Sequence, residues 1–121
     1  MFDDPACAPL FSGHGRAEVQ IAGRVMLGGG PRVISGKIDR MAVDGETVRI
    51  VDFKTGSVPS ARAPDAHVVQ LALYRLLVAS IYPRHLVEAS LIYTAAPRLV
   101  RLDPAEMDAA LRGLNISAHS Y

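Results

Sequence analysis

Two alternating, β-branched segments meet at an Asp-Gly turn, and no other feature of this 121-residue chain restricts its fold as tightly. Residues 32–43 read "RVISGKIDRMAV" and residues 47–55 read "TVRIVDFKT". Alternation is a strand signature, because successive side chains leave a strand on opposite faces. Between the segments, "DGE" at 44–46 supplies the Asp-Gly pair that favours a tight hairpin. An antiparallel hairpin therefore sits at the centre of the chain, and the remaining elements must be built onto it.

Upstream, "AEVQIAGRVML" at 17–27 reads as a further strand, closed by "GGGP" at 28–31. Downstream, the Gly-, Pro- and Ser-rich "GSVPSARAP" at 56–64 reads as an irregular connection. The period then changes. Residues 65–82 set Val69, Ala72, Leu73, Leu76 and Leu77 at helical spacing, with Asp65 placed as N-cap and Pro83 just past the end. "HLVEASLIYT" at 85–94 and "RLVRL" at 98–102 return to strand character. Asp103 as cap, Pro104 at the first position and Glu106 three residues after the cap open a last helix over 104–114. The order β-β-β-α-β-β-α predicts an α/β domain, a mixed β-sheet flanked by helices, over residues 17–114. Residues 1–16 read as a poorly ordered lead-in truncated from a longer chain, and 115–121 as a frayed C-terminus.

Half of the residues are apolar and about a fifth are charged, which is the composition of one globular domain. A net charge of +1 gives no general electrostatic case for nucleic acid, so any such contact must come from a local patch. With Cys7 alone there is neither a disulfide framework nor a thiolate cluster, and a reducing, cytoplasmic setting is the simplest reading. No apolar run approaches the roughly 18 residues of a membrane span, and "MFDDPACAP" lacks the regions of a signal peptide, so no membrane role is expected.

The chemistry concentrates in "RIVDFKTG" at 49–56, where Asp52 and Lys54 stand two apart in an otherwise apolar strand. Their side chains share one face, with Val51 and Phe53 on the other, so one face is expected to be apolar and the other charged. Asp39 lies on the partner strand. A cross-strand salt bridge among Asp39, Asp52 and Lys54 is one account of this trio. A second is a hard-cation site, since Mg²⁺ takes carboxylate oxygens and fills its remaining positions with water and phosphate oxygens. Beside such a cation a lysine can orient the attacking water and offset charge developing on a phosphoryl group. On the following helix His67, Gln70 and Tyr74 line one stripe, either as a polar boundary or as a wall facing substrate. A phosphate-loop reading of "GGGPRVISGKI" fails, with Pro31 where Gly is needed and Ile38 where Ser or Thr is needed.

Three stretches, "GKIDR" (36–40), "VDFKTG" (51–56) and "QLALY" (70–74), together resemble the motifs G-x-x-D, D-[YF]-K-T and Q-x-x-x-Y of the RecB-like PD-(D/E)XK nucleases. Within that family the chain is most similar to the C-terminal nuclease domain of AddA-type helicase-nucleases, which act in bacterial double-strand break repair. The resemblance implies a restriction-endonuclease-like core and Mg²⁺- or Mn²⁺-dependent DNA cleavage. By the same resemblance Asp39 and Asp52 are metal-binding carboxylates, the Phe53 backbone carbonyl a further ligand, and Lys54 the catalytic lysine. Gln70 and Tyr74 support the site and contact DNA, with Arg40, Thr55 and His67 as further contacts. It also implies an AddB-type partner subunit, a nucleoid-associated cytoplasmic location, and ATP binding only in a helicase part that this chain lacks. Some relatives hold an iron-sulfur cluster through four cysteines, which Cys7 alone excludes. The family's upstream helical histidine or glutamate has no counterpart: His14 sits in the Gly-rich "FSGHGRAE", and Glu18 falls early in a strand.

Overall fold

A computed structural model describes residues 15–27, 30–55, 65–95, 98–113 and 116–118. Of the lead-in expected over 1–16, residues 1–14 lie outside these, as does the connection at 56–64, whereas Gly15 and Arg16 already pair in the first strand. Three strands come first, β1 (Gly15–Leu27), β2 (Gly30–Asp44) and β3 (Thr47–Lys54), followed by helix α1 (Asp65–Ile81). Strands β4 (Leu86–Tyr93) and β5 (Arg98–Arg101), helix α2 (Pro104–Gly113) and a short β6 (Ile116–Ala118) complete the chain. The first seven follow the expected order. Residues 116–118, expected within a frayed end, instead extend the sheet along the outer edge of β1, Leu27 facing Ile116. An edge strand carries unpaired backbone groups, and a segment opening on β-branched Ile116 can satisfy them.

The sheet runs β5-β4-β3-β2-β1-β6. Among the described residues only the β3–β4 pair is parallel, joined through α1, as a strand-helix-strand crossover requires. The central hairpin closes with Asp44 facing Thr47, so its loop is Gly45 and Glu46. Gly45, the first of these two, has φ +61°, a conformation that glycine enters without a steric penalty. That closure sets the register, with Arg40 opposite Val51.

Both helices cover one face of the sheet. Ile21, Ile38, Val48, Ile50 and Leu91 from the strands pack with Leu71, Val78, Met107 and Leu111 from the helices in one buried cluster. On the other face Ala42, Val51 and Ile92 form a small cluster with Leu99 against it. The division expected for β3 is therefore different from the one observed: Asp52 and Lys54 share their face with Val48 and Ile50, beneath α1, and it is Phe53 on the opposite face that is exposed. The orientation of α1 is also turned from the expected one. Val68, Leu71, Ala72, Leu77 and Val78 are fully buried, whereas Val69, Leu73 and Leu76 are only partly so. A helix apolar on most sides carries little periodic contrast, so its facing is decided by what it packs against. Arg75, on the same helix, reaches the Val87 carbonyl and pairs with Asp108 of α2 at 3.1 Å. The α2 start is as expected: the Asp103 carboxylate accepts the Ala105 amide at 2.8 Å, the N-cap arrangement.

Leu71 is 1% exposed at the centre of the main cluster. Leu71→Ala is expected to lower unfolding free energy by about 2–5 kcal/mol, read from urea denaturation; a loss below about 1 kcal/mol would contradict this packing.

Candidate active site

On the helix-covered face of β3, a central strand flanked by β2 and β4, the apolar Val48 and Ile50 give way to Asp52 and Lys54 at the carboxyl end. The β2–β3 ladder ends at Arg40 and Val51, one residue short of Asp39. Past that point a side chain takes over from the backbone: the Phe53 amide donates to the Asp39 carboxylate Oδ2 at 2.8 Å. Alternation along β2 slips at the same place. Ile38 belongs to the core beneath the helices and Ala42 to the cluster on the opposite face, although an even spacing would keep both on one side. In the β1–β2 ladder, regular on both sides, the position of Glu18 against Asp39 is skipped, and Glu18 has φ +55°. A left-handed residue facing a gap is a bulge-like irregularity, which re-aims the side chain beside it.

Asp52 is 5% exposed. The Lys54 ammonium lies 2.7 Å from its Oδ2, yet that oxygen lacks a properly directed hydrogen bond. Proximity here is an ion pair without hydrogen-bond geometry. Burial, followed by the neighbouring Asp39 carboxyl, holds the Asp52 carboxyl above its ordinary 3.8, and Lys54 only partly opposes this. Two carboxyl groups and one ammonium thus share a confined space in which the acids repel each other.

From α1, Gln70 accepts a hydrogen bond from Lys54 Nζ through Oε1, and its Nε2 donates to the Tyr74 hydroxyl at 3.3 Å. His67, one turn earlier, meets the Tyr93 hydroxyl at 2.9 Å through Nδ1. The expected stripe of His67, Gln70 and Tyr74 lies across three strands, His67 meeting Tyr93 of β4, Gln70 meeting Lys54 of β3 and Tyr74 meeting Gly36 of β2. Arg40 sits beside Asp39 on β2, opposite Ala17 and Val51. Thr55 is exposed one residue beyond Lys54. Among the described arginines, Arg75 is engaged with Asp108, while on the edge strand β5 Arg98 lies opposite Tyr93 and Arg101 opposite Ser90. Glu18 pairs with Lys37 at 3.6 Å.

Two residues have roles that sequence reading did not assign. Tyr93 lies directly across from Lys54 in the parallel ladder; the carboxyl ends of parallel strands are where such sheets gather functional groups, and that rule points to it. Gly36 is the other. A Cβ there would lie 2.6 Å from both Cε1 and the hydroxyl of Tyr74, so the missing side chain makes room for the ring that anchors Gln70.

The arrangement suits a hard divalent cation. A buried carboxylate and a second carboxylate beside it are oxygen donors of the kind Mg²⁺ and Mn²⁺ take. Among the described residues no group of three His, Cys, Asp or Glu converges, so a cation here would draw its other ligands from carbonyls, water or substrate.

Comparison with known proteins bears on this geometry. A model of the PD-(D/E)XK nuclease superfamily matches residues 8–114. Among solved structures, that of SSO0001 is similar in fold, with a TM-score of 0.51 and 17% identity over 84% of this chain. The chain spans about half the length of that protein, 49%. Among curated proteins none matches.

Gly36→Ala is expected to destabilise the chain by about 1–3 kcal/mol through overpacking against Tyr74, and to be nearly neutral in a Tyr74→Ala background. Equal losses in both backgrounds, measured by urea unfolding, would show that the Tyr74 contact is not the cause. A second prediction concerns Asp52. Folding raises the proton affinity of this carboxyl, so its contribution to stability is fully present below 3.8 and is lost as pH rises through the higher folded value. In EDTA, Asp52→Asn should therefore raise Tm at pH 7, with the gain shrinking as pH falls through the folded value towards 3.8; a lower Tm at pH 7 would count against it.

Proposed function

The chain belongs to the PD-(D/E)XK nuclease superfamily, and from this we propose that it is a metal-dependent deoxyribonuclease domain of an AddA-type helicase-nuclease, hydrolysing phosphodiester bonds during double-strand break repair. The single observation that carries the reading is the buried Asp52 carboxyl, which shares one ammonium, that of Lys54, with a second carboxyl group, Asp39. One ammonium shared by two buried acids leaves negative charge that a further cation would offset.

Asp39 and Asp52, with the Phe53 backbone carbonyl, would hold Mg²⁺ or Mn²⁺. When bound, that cation supplies Lewis-acid stabilisation of charge on a phosphoryl oxygen. Lys54, held from one side by Asp52 and from the other by Gln70, orients the attacking water and offsets negative charge as it develops on the phosphate. Gln70 fixes the ammonium, and Tyr74, seated over Gly36, fixes Gln70. His67, Arg40 and Thr55 form the rim that meets the DNA backbone. In the whole protein ATP would be used by helicase domains outside this chain, an AddB-type subunit would be the partner, and the site would work in the cytoplasm at the nucleoid without an iron-sulfur cluster. No helix among the described residues is long and apolar enough to cross a membrane.

A second reading, a nuclease-derived DNA-binding or subunit-docking module without activity of its own, draws on the absence of a converging third acid or histidine among the described residues. A stand-alone exonuclease of the same family is a third, distinguished by a reading frame without helicase motifs. Cleavage of linear single- and double-stranded DNA in Mg²⁺ or Mn²⁺, beside Asp52→Ala and Lys54→Ala, separates the first two. The nuclease reading expects metal-dependent cleavage that falls by about 10²–10³-fold or more in each variant. No cleavage together with no Mn²⁺ binding would favour the docking module, whereas Mn²⁺ binding that Asp52→Ala abolishes would mark a nuclease lacking a ligand.

A further inference from the structure

Tyr93 is 1% exposed, and a hydroxyl buried that deeply needs an acceptor for its proton. The contact it makes is with His67 Nδ1 at 2.9 Å, the two rings tilted with centroids 5.9 Å apart. If Nδ1 carried the ring proton, the Tyr93 oxygen would accept it, and the tyrosine's own proton would need a further acceptor. Among the described residues no second one bonds it. Tyr93 therefore donates and Nδ1 accepts, which places the imidazole proton on Nε2, on the side of the ring turned away from Tyr93. Burial, with the Lys54 ammonium second, also lowers the pKa of His67 and keeps the ring neutral. The ring is half-buried, so its outer edge remains within reach of solvent.

The product is an uncharged N–H donor held in a fixed tautomer, one helical turn from the glutamine that grips Lys54. A neutral donor can bind a phosphate oxygen without adding a second positive charge beside Lys54 and the cation position. Resting on the nuclease reading, which sets His67 on the DNA-facing rim, we propose that it acts there as a neutral donor, its Nε2–H bonding a non-bridging oxygen of a nucleic-acid backbone phosphate, with Tyr93 as the positioning residue that fixes its tautomer.

The test measures binding of a fluorescent single-stranded oligonucleotide in Ca²⁺ over a range of salt concentrations. It compares the unsubstituted chain with His67→Ala, His67→Gln and Tyr93→Phe, and is accompanied by ¹⁵N spectra of the imidazole. His67→Ala should weaken binding about tenfold, as for one lost hydrogen bond. The slope of log affinity against log salt should not change, because a neutral donor releases no counterion. His67→Gln, which retains an N–H donor, should recover most of the affinity. The unsubstituted chain should show the Nε2–H tautomer, and Tyr93→Phe should lose that preference. Unchanged affinity in His67→Ala, a slope reduced by about 0.7, or a dominant Nδ1–H tautomer would each overturn the inference. If the unsubstituted chain cleaves DNA while His67→Ala binds normally, this inference fails and the nuclease reading stands. If the folded chain neither binds nor cleaves DNA, both fail.

Discussion

A buried carboxylate with one oxygen short of a hydrogen bond sets the terms for the rest of this molecule. Asp52 is kept from water by α1 above it and by neighbouring strands on both sides, and Asp39 stands close enough to raise its proton affinity further. In a low-dielectric setting such a group either neutralises itself or recruits positive charge. Lys54 meets part of this demand. What Lys54 leaves unmet is unfavourable electrostatics of the kind a bound cation would relieve.

Apart from the neighbouring Asp52, the groups that hold Lys54 and Asp39 in place come from other elements. Asp39 is steadied by the Phe53 amide across the hairpin, at the point where regular pairing stops. Lys54 is steadied by Gln70 on α1, Gln70 by Tyr74, and Tyr74 by a glycine on β2. The G-x-x-D and Q-x-x-x-Y stretches thus describe two ends of one packing contact, in which the glycine makes room for the tyrosine. This chain of supports gives a physical reason for all three motifs to occur together, since loss of one loosens the next.

Much of the architecture was legible along the chain, and the misses have clear causes. The hairpin followed from β-branched alternation and Asp-Gly, the second helix from Asp103 and Pro104, and the trio Asp39, Asp52 and Lys54 from charges set in apolar strands. The facing of α1 was not legible, because Val68 and Val69, or Leu71 and Leu73, carry equal hydrophobicity and differ only in what they touch. The short β6 was missed because its pairing partner is the edge of β1, about ninety residues earlier, and three residues carry little local signal. Tyr93 looked like one more apolar strand residue until the parallel register set it across from Lys54.

The sequence by itself determined which groups were available: two acids, a lysine, and a polar stripe at helical spacing, on segments whose periodicity dictated strand, strand and helix. Those properties are local, resting on side-chain alternation, turn chemistry and caps. Tertiary structure alone decided that the Asp39 carboxylate bonds the Phe53 amide, that Gln70 reaches Lys54, and that Tyr93 holds His67. Those outcomes depend on strand register, on a slip in alternation at Asp39 and on the angle at which α1 settles. Each is set by contacts between segments distant in sequence, where a displacement of one residue turns a side chain to the other face of the sheet.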